Sequence, residues 1–242
     1  MGEWGDDWLL LDQSTNPEIR STLALLGDPR VKSVPHVGHN LLDYIDFIVD
    51  NYHQLPSKLV LAKGNIVPRH IEAHEFEAAM KKAVFAPLYS DSLAPEIKGT
   101  QYFPVPHLMV ETNNSWYANR AMHRYFIEFN AMMNFLFRNW RSPNFILFNP
   151  GACFIVEGAR IQNYPRAFWM ALQRILNYSF FPAEAWMIER ALYTIFTCNL
   201  EIHEYLRDEK SALEELESLA DLTSVYVPGP GPLSGLKKMF HR

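Results

Sequence analysis

Cysteine is almost missing from this chain: Cys153 and Cys198 are the whole complement in 242 residues. Two thiols with no Cys-x-x-Cys spacing exclude a disulfide framework and make a reducing compartment the default. Long apolar runs are missing too, since no stretch approaches the roughly 20 residues that span a bilayer. The opening segment MGEWGDDWLLLDQS has no basic region followed by an apolar run and a small-residue cleavage site, so no secretory signal is visible. A cytoplasmic protein is the expectation. Positive charge is in short supply, with 22 Lys and Arg against 27 Asp and Glu. The net charge of −5 argues against a general nucleic-acid binder. There is no Gly-x-Ser-x-Gly elbow, Walker loop or Gly-x-Gly-x-x-Gly turn, which removes the main support for hydrolase and P-loop readings. Neither an internal repeat nor a low-complexity tract is present.

What is present is apolar and aromatic. Apolar residues make up 48% of the chain and aromatics 14%, against 20% charged, a globular balance with material for a substantial core. One domain over residues 1–226 is the economical division. Residues 227–242 follow as a breaker-rich linker, VPGPGPLSG, and a short basic and apolar tail, LKKMFHR. The tail reads as a frayed terminus, with weak attachment to an anionic membrane surface as the alternative.

Periodicity predicts a strand at Trp8–Leu11 and a helix over Asn16–Leu26 with a cap and Pro17 in its first turn. An extended segment at Arg30–Val37 follows, then a helix over Asn40–Tyr52 and a strand at Lys58–Ala62. Three strands separated by two helices suggest βαβ units, hence an α/β fold with a mainly parallel central sheet flanked by helices. The segment LYSDSLAPEIKGTQYFPVPH has no clean period and reads as loop with short elements. An aromatic-rich helix, continuous or broken, is expected over Trp116–Trp140. Strands at Asn144–Phe148 and Ala152–Val156 flank an Asn149-Pro150-Gly151 turn able to bring backbone N–H groups to a ligand. Helices then run from Pro165 to about Tyr178 and from Ala183 to Thr197.

That last helix carries the main anomaly. Its run AEAWMIERALYTIFT sets Ala185, Ile188, Leu192, Ile195 and Phe196 on one side, and Glu189 falls inside the stripe. A carboxylate in such a place finds a cation, neutralises itself, or meets a polar ligand, as a general base does. The bland reading is a buried ion pair, with Arg190 or another cation.

Other candidates cluster at strand exits, where ligands bind in open α/β sheets. Lys63 and Arg69 supply cations after the third strand, Gly64 permits close approach, and Asn65 and His70 suit phosphate or sugar hydroxyls. Asp12 closes the first strand where a base or ribose would be read, though an Asp there is equally good as a turn former. Asn40, in PHVGHN, reads first as a helix cap. His70 and His74 stand one turn apart, but the acid lies one residue later than in His-Glu-x-x-His, and His36 with His39 lack further ligands. Cys153 reads as a buried, inert thiol.

Two blocks, HVGHNLLDYIDFIVDNYHQLPSKLVLAKGNIVPRH and NPGACFIVEGARIQNYPRAFWMALQRI, followed by EAWMIERALYTIF, resemble an incompletely characterised family of glycosyltransferase-like proteins of fungi, bacteria and viruses. Val37, Gly38, Asn51, Tyr52, Leu55 and Pro56 match its first block. Pro150, Gly151, Ala152, Phe154, Val156, Arg160 and Ile161 match its second, and Glu189 and Arg190 its third. The resemblance implies a GT-A type fold and transfer of a sugar from a nucleotide-sugar donor to an acceptor hydroxyl, in glycan or surface polysaccharide synthesis. By that analogy Glu189 is the acceptor's base; Asp12, Lys63, Asn65, Arg69, His70 and Arg190 hold the donor and its phosphates; Gly151 and Ala152 lie on the acceptor side. The family's Arg-Glu after Gly is His39-Asn40 here, and no Asp-x-Asp follows the third strand. No metal ligand is therefore assigned, and dependence on Mn or Mg stays open; Lys63, Arg69 or Arg190 would stabilise a departing diphosphate instead. A non-catalytic carbohydrate- or nucleotide-binding protein and an interaction scaffold are the alternatives.

Overall fold

The computed structural model describes residues 8–93, 102–119 and 121–220. The domain boundary after residue 226 and the basic tail lie outside them. The N-terminal part follows local signals closely. Strand β1 (Leu10–Asp12) leads to helix α1 (Pro17–Leu25), whose cap Asn16 accepts the N–H of Glu18 and whose first residue is proline. Strand β2 (Val31–Ser33) pairs with β1 in parallel, from Leu10 opposite Val31 to Asp12 opposite Ser33. Helix α2 (His39–Asp50) buries Leu41, Leu42, Tyr44, Ile45, Ile48 and Val49 on one face. Gly38, in left-handed conformation, begins that helix; Asn40 does not cap it but lies in its first turn.

From here the expectation of a single, mainly parallel, GT-A-like sheet fails. Among the described residues the strands form three small sheets, and of these strands only β1 and β2 run parallel. Strand β3 (Lys58–Leu61) pairs antiparallel with a strand nearly a hundred residues later, β8 (Phe154–Glu157), with Lys58 opposite Glu157 and Leu61 opposite Phe154. The short strand β4 (Ala86–Pro87) takes the other edge of β8, after helical turn α3 (Ile66–Arg69) and helix α4 (Ala73–Lys82). The third sheet, in the order β5 (Tyr102–Val105), β6 (Leu108–Thr112), β7 (Phe145–Phe148), is antiparallel throughout. The physical reason is legible in burial. A parallel sheet covered on both faces needs near-continuous apolar strands, yet β2 is exposed at Lys32 and Ser33 and α1 buries nothing. Strand β8 is buried along Phe154, Ile155 and Val156, and it sits at the centre of its sheet.

The expected helix over Trp116–Trp140 is a 3-10 turn at Trp116–Asn119 and then helix α5 (Phe129–Leu136). A distant side chain holds the intervening backbone open. Glu184 Oε1 accepts the N–H groups of Arg124 and Tyr125 at 2.8 Å each and of Phe126 at 3.3 Å, donors that a helix would have used itself.

Helical turn α6 (Gly158–Ile161) and helices α7 (Arg166–Leu176), α8 (Ala183–Thr197) and α9 (Glu209–Ala220) complete the described chain. Helix α8 packs on α2, α5, α7 and strand β7, so the core lies around it, with Trp169, Phe168, Tyr164 and Phe137 almost fully enclosed. No helix among the described residues is long and apolar enough to cross a membrane.

Candidate functional site

The turn between β7 and β8 is the hub. Gly151 has φ +88° and Ala152 φ +56°, a left-handed pair whose second member carries a side chain, and strain of that kind gathers at ligand-binding sites. Three separate elements hold the turn. The Gly151 N–H donates to Glu189 Oε1 on α8 at 2.5 Å. Its carbonyl accepts from Asn40 Nδ2 of α2 at 3.4 Å and from the Cys153 thiol at 3.4 Å. On the third side lies the His70 ring. A Cβ on Gly151 would stand 3.0 Å from its Nε2 and 3.1 Å from its Cε1, so an added methyl would require the imidazole to give by a few tenths of an ångström.

Glu189 therefore reaches the edge of its apolar stripe. Its side chain keeps 17% exposure, with Oε1 on the Gly151 amide and Oε2 on Arg190 Nη1. The ion-pair reading of this acid holds as far as Arg190 is concerned, and the pairing extends inward. Arg190 also donates through Nε (2.9 Å) and Nη2 (2.8 Å) to Glu111 Oε2 on β6, and through Nη1 to the Trp186 carbonyl at 3.4 Å. Its guanidinium lies over the rings of Phe148 (4.4 Å) and Tyr117 (5.3 Å). Burial opposes the charge of Arg190, but Glu189 and Glu111 outweigh it and hold the group above its ordinary pKa. Burial likewise raises the Glu111 pKa, with Arg190 pulling the other way. Trp116 Nε1 donates to the remaining Glu111 oxygen. Arg190, expected on the phosphate side, is thus enclosed by protein partners.

The exit of β3 supplies the rest. Burial, then the charges of Lys63 and Arg69, push His70 down to about 4, while Glu189 pulls it upward. Burial and Lys63 lower His39 as well, again against Glu189. Lys63, Arg69 and Glu189 therefore all act on the His39 and His70 rings, the two cations against their protonation and the carboxylate in its favour. The buried Nε2 of His70 has no hydrogen-bond partner. Gly64, Asn65 and Arg69 are exposed, and Asn65 makes no capping bond at the start of α3.

Asp12 does not join this group. It is buried at the end of β1 and accepts the Ser14 N–H at 2.9 Å, the local turn-forming duty. Its neighbour Gln13 ties β1 to α2 instead, donating to the carbonyls of Val37 (3.0 Å) and His39 (2.9 Å) and to Asp43 (3.0 Å). Cys153 is fully buried, and burial raises its thiol pKa, in keeping with an inert residue. No three His, Cys, Asp or Glu side chains gather as a metal-ligand set among the described residues. A surface hollow of about 280 Å³ lined by Asn163, Tyr164, Asn199 and Arg207 shares no residue with the Gly151 turn.

Sequence reasoning missed Glu111, Trp116 and Tyr117. The available signal was an acid at the end of the apolar run LMVE, comparable to Glu189 in its helix. Comparison with protein-family models, curated proteins and solved structures finds no match to this chain.

Proposed function

We propose that the protein transfers a glycosyl group from a nucleotide-sugar donor to an acceptor hydroxyl at the surface around the Gly151 turn. The observation that supports this reading is the partly open carboxylate of Glu189 held on the Gly151 amide, with the His70 ring against the same glycine, its Nε2 without a hydrogen-bond partner, and Lys63 and Arg69 near enough to act on that ring. The sheet arrangement lends it nothing; the reading rests on the site. Lys63 and Arg69 offer charge to a leaving diphosphate, and His70, uncharged near neutral pH, offers a hydrogen bond without adding charge. Gly151 and Arg190 fix the Glu189 carboxylate, while each of its oxygens retains a second lone-pair site for an acceptor hydroxyl. Proton transfer requires that hydroxyl to approach within about 2.6–3.2 Å. The described residues do not assemble a ligand set for Mn or Mg, so no step is assigned to a metal.

The engagement of both Glu189 oxygens by protein donors favours a second reading, non-catalytic binding of a sugar phosphate. A panel of UDP-, GDP-, ADP- and CMP-sugars separates the two, with nucleotide release followed in the presence and absence of Mn and Mg and melting temperature recorded in parallel. Transfer predicts slow donor hydrolysis that Glu189→Gln abolishes while the donor still raises the melting temperature. A thermal shift without turnover supports the binding protein; the absence of any shift sinks both.

A further inference from the structure

A run of aromatic rings leads outward from Glu189. Trp186, one turn before it on α8, has its ring centroid 4.2 Å from that of Phe181. Phe181 stacks on His39 at 4.6 Å, and His39 meets Phe180 edge-on at 5.8 Å. The run ends in a near-parallel stack of Phe180 on His36, with centroids 3.6 Å apart and planes 8° apart. On the inner side Trp186 continues to Trp116 and Tyr117, against the Arg190 ion pair. Exposed phenylalanines normally lack partners that hold them still. Phe180 is 41% exposed and nonetheless stacked.

The rings are also anchored. The Gly38 N–H donates to the Ser179 carbonyl at 2.8 Å, joining the loop before α8 to the start of α2. Gln13 bonds the carbonyls on either side of Gly38, and the His36 Nδ1 meets the Gln13 carbonyl at 2.7 Å. A carbonyl can only accept, so Nδ1 donates, and in the tautomer with its proton there the His36 ring carries its lone pair on Nε2. In that tautomer the outer end offers a flat apolar face with a hydrogen-bond acceptor beside it. Both properties suit a neutral pyranose, whose C–H face packs on an aromatic ring while its hydroxyls bond the rim.

We infer that the Phe180–His36 stack is a binding platform for the pyranose rings of a neutral oligosaccharide, leading along Phe181 and Trp186 toward Glu189. Its role as the acceptor subsite rests on the transfer reading; saccharide binding itself does not.

Saturation-transfer NMR with cellotetraose, maltotetraose, chitotetraose and mannotetraose tests the platform without turnover. At least one is expected to receive saturation at its ring protons. Phe180→Ala should weaken that saccharide about 2- to 10-fold, the range of one aromatic contact, with an unchanged melting temperature because the side chain is half open. His36→Phe, which keeps a ring on Phe180 but removes Nε2, should cost less than His36→Ala. Binding by none of the four, or equal binding by wild type and Phe180→Ala, overturns the proposal. So does a Phe180-dependent contact with the base protons of UMP or AMP, which would make the platform a nucleotide-base site. Saccharide bound at Phe180 with no turnover of any donor leaves the platform standing and removes the transfer reading. Turnover whose acceptor KM ignores Phe180→Ala leaves the transfer reading standing and removes the platform's role as the acceptor subsite.

Discussion

Gly151→Ala probes the centre of the site with two separable costs. The first is conformational: at φ +88° an alanine sits in the left-handed region, at a penalty of roughly 1–2 kcal/mol. The second is steric. The new methyl would stand 3.0, 3.1 and 3.3 Å from Nε2, Cε1 and Cδ2 of His70, against the ring rather than the tip of a flexible chain. Overpacking of this kind costs about 1–3 kcal/mol. The sum is about 2–5 kcal/mol, or a fall in melting temperature on the order of 5–15 °C for a chain of this length. Urea unfolding of wild type, Gly151→Ala, His70→Ala and the double variant closes a cycle. His70→Ala empties the space the methyl would enter and leaves the backbone penalty untouched. Gly151→Ala should therefore be cheaper in that background by the steric share alone. An equal cost in both backgrounds would show that the imidazole is not seated on Gly151, and no cost in either would refute the backbone reasoning as well.

Arg190→Met should destabilise the fold by about 3–5 kcal/mol, because it strands Glu111, 1% exposed, near a mostly buried Glu189. Adding Glu111→Met should recover part of that loss in chemical denaturation; a double variant worse than the single would contradict the ion-pair account. Asp43 gives a pH test. Burial holds its folded carboxyl at about 6 against 3.8 in the ordinary state, with Asp46 adding to the rise and the Gln13 bond opposing it. Below 3.8 both states are protonated and nothing is lost. As pH rises from 3.8 to about 6 the unfolded chain releases its proton first and stability falls, levelling off once both states are ionised. Asp43→Asn, whose Oδ1 can still accept from Gln13, should accordingly raise the urea midpoint at pH 8 and leave it nearly unchanged at about pH 3; an equal gain at both would assign the effect to packing instead.

Much of the fold was legible wherever a signal was local. Asn16 and Pro17 mark the start of α1, the spacing of Leu41, Ile45 and Ile48 marks the buried face of α2, and α7 and α8 begin after the prolines at 165 and 182. Pairing was not legible, because the choice of β8 as the partner of β3 is made between residues almost a hundred apart. Alternation of strands and helices shows that crossovers exist, not that they return to the same sheet. A break somewhere in Trp116–Trp140 was allowed for, but its place before α5 was hidden for the same reason: residues 124–126 give no sign that Glu184 takes their amides.

The site divides along that line as well. Lys63, Arg69, His70, Gly151 and Glu189 could be chosen one at a time from strand exits, turns and an out-of-place acid, and the tertiary fold brings their charges together. Asp12 has the same local credentials, yet local geometry already uses it at Ser14. Arg190 differs again, since helical spacing puts it next to Glu189 but cannot show that β6 delivers a second carboxylate behind it. With Glu111 in place, three charges form a row from the core to the surface, and the row carries one net negative charge. Arg190 is shared between two acids, so Glu189 is fixed by its cation without being fully neutralised by it. An isolated Glu189–Arg190 pair would have had no such surplus to present to Lys63, Arg69 or an incoming hydroxyl.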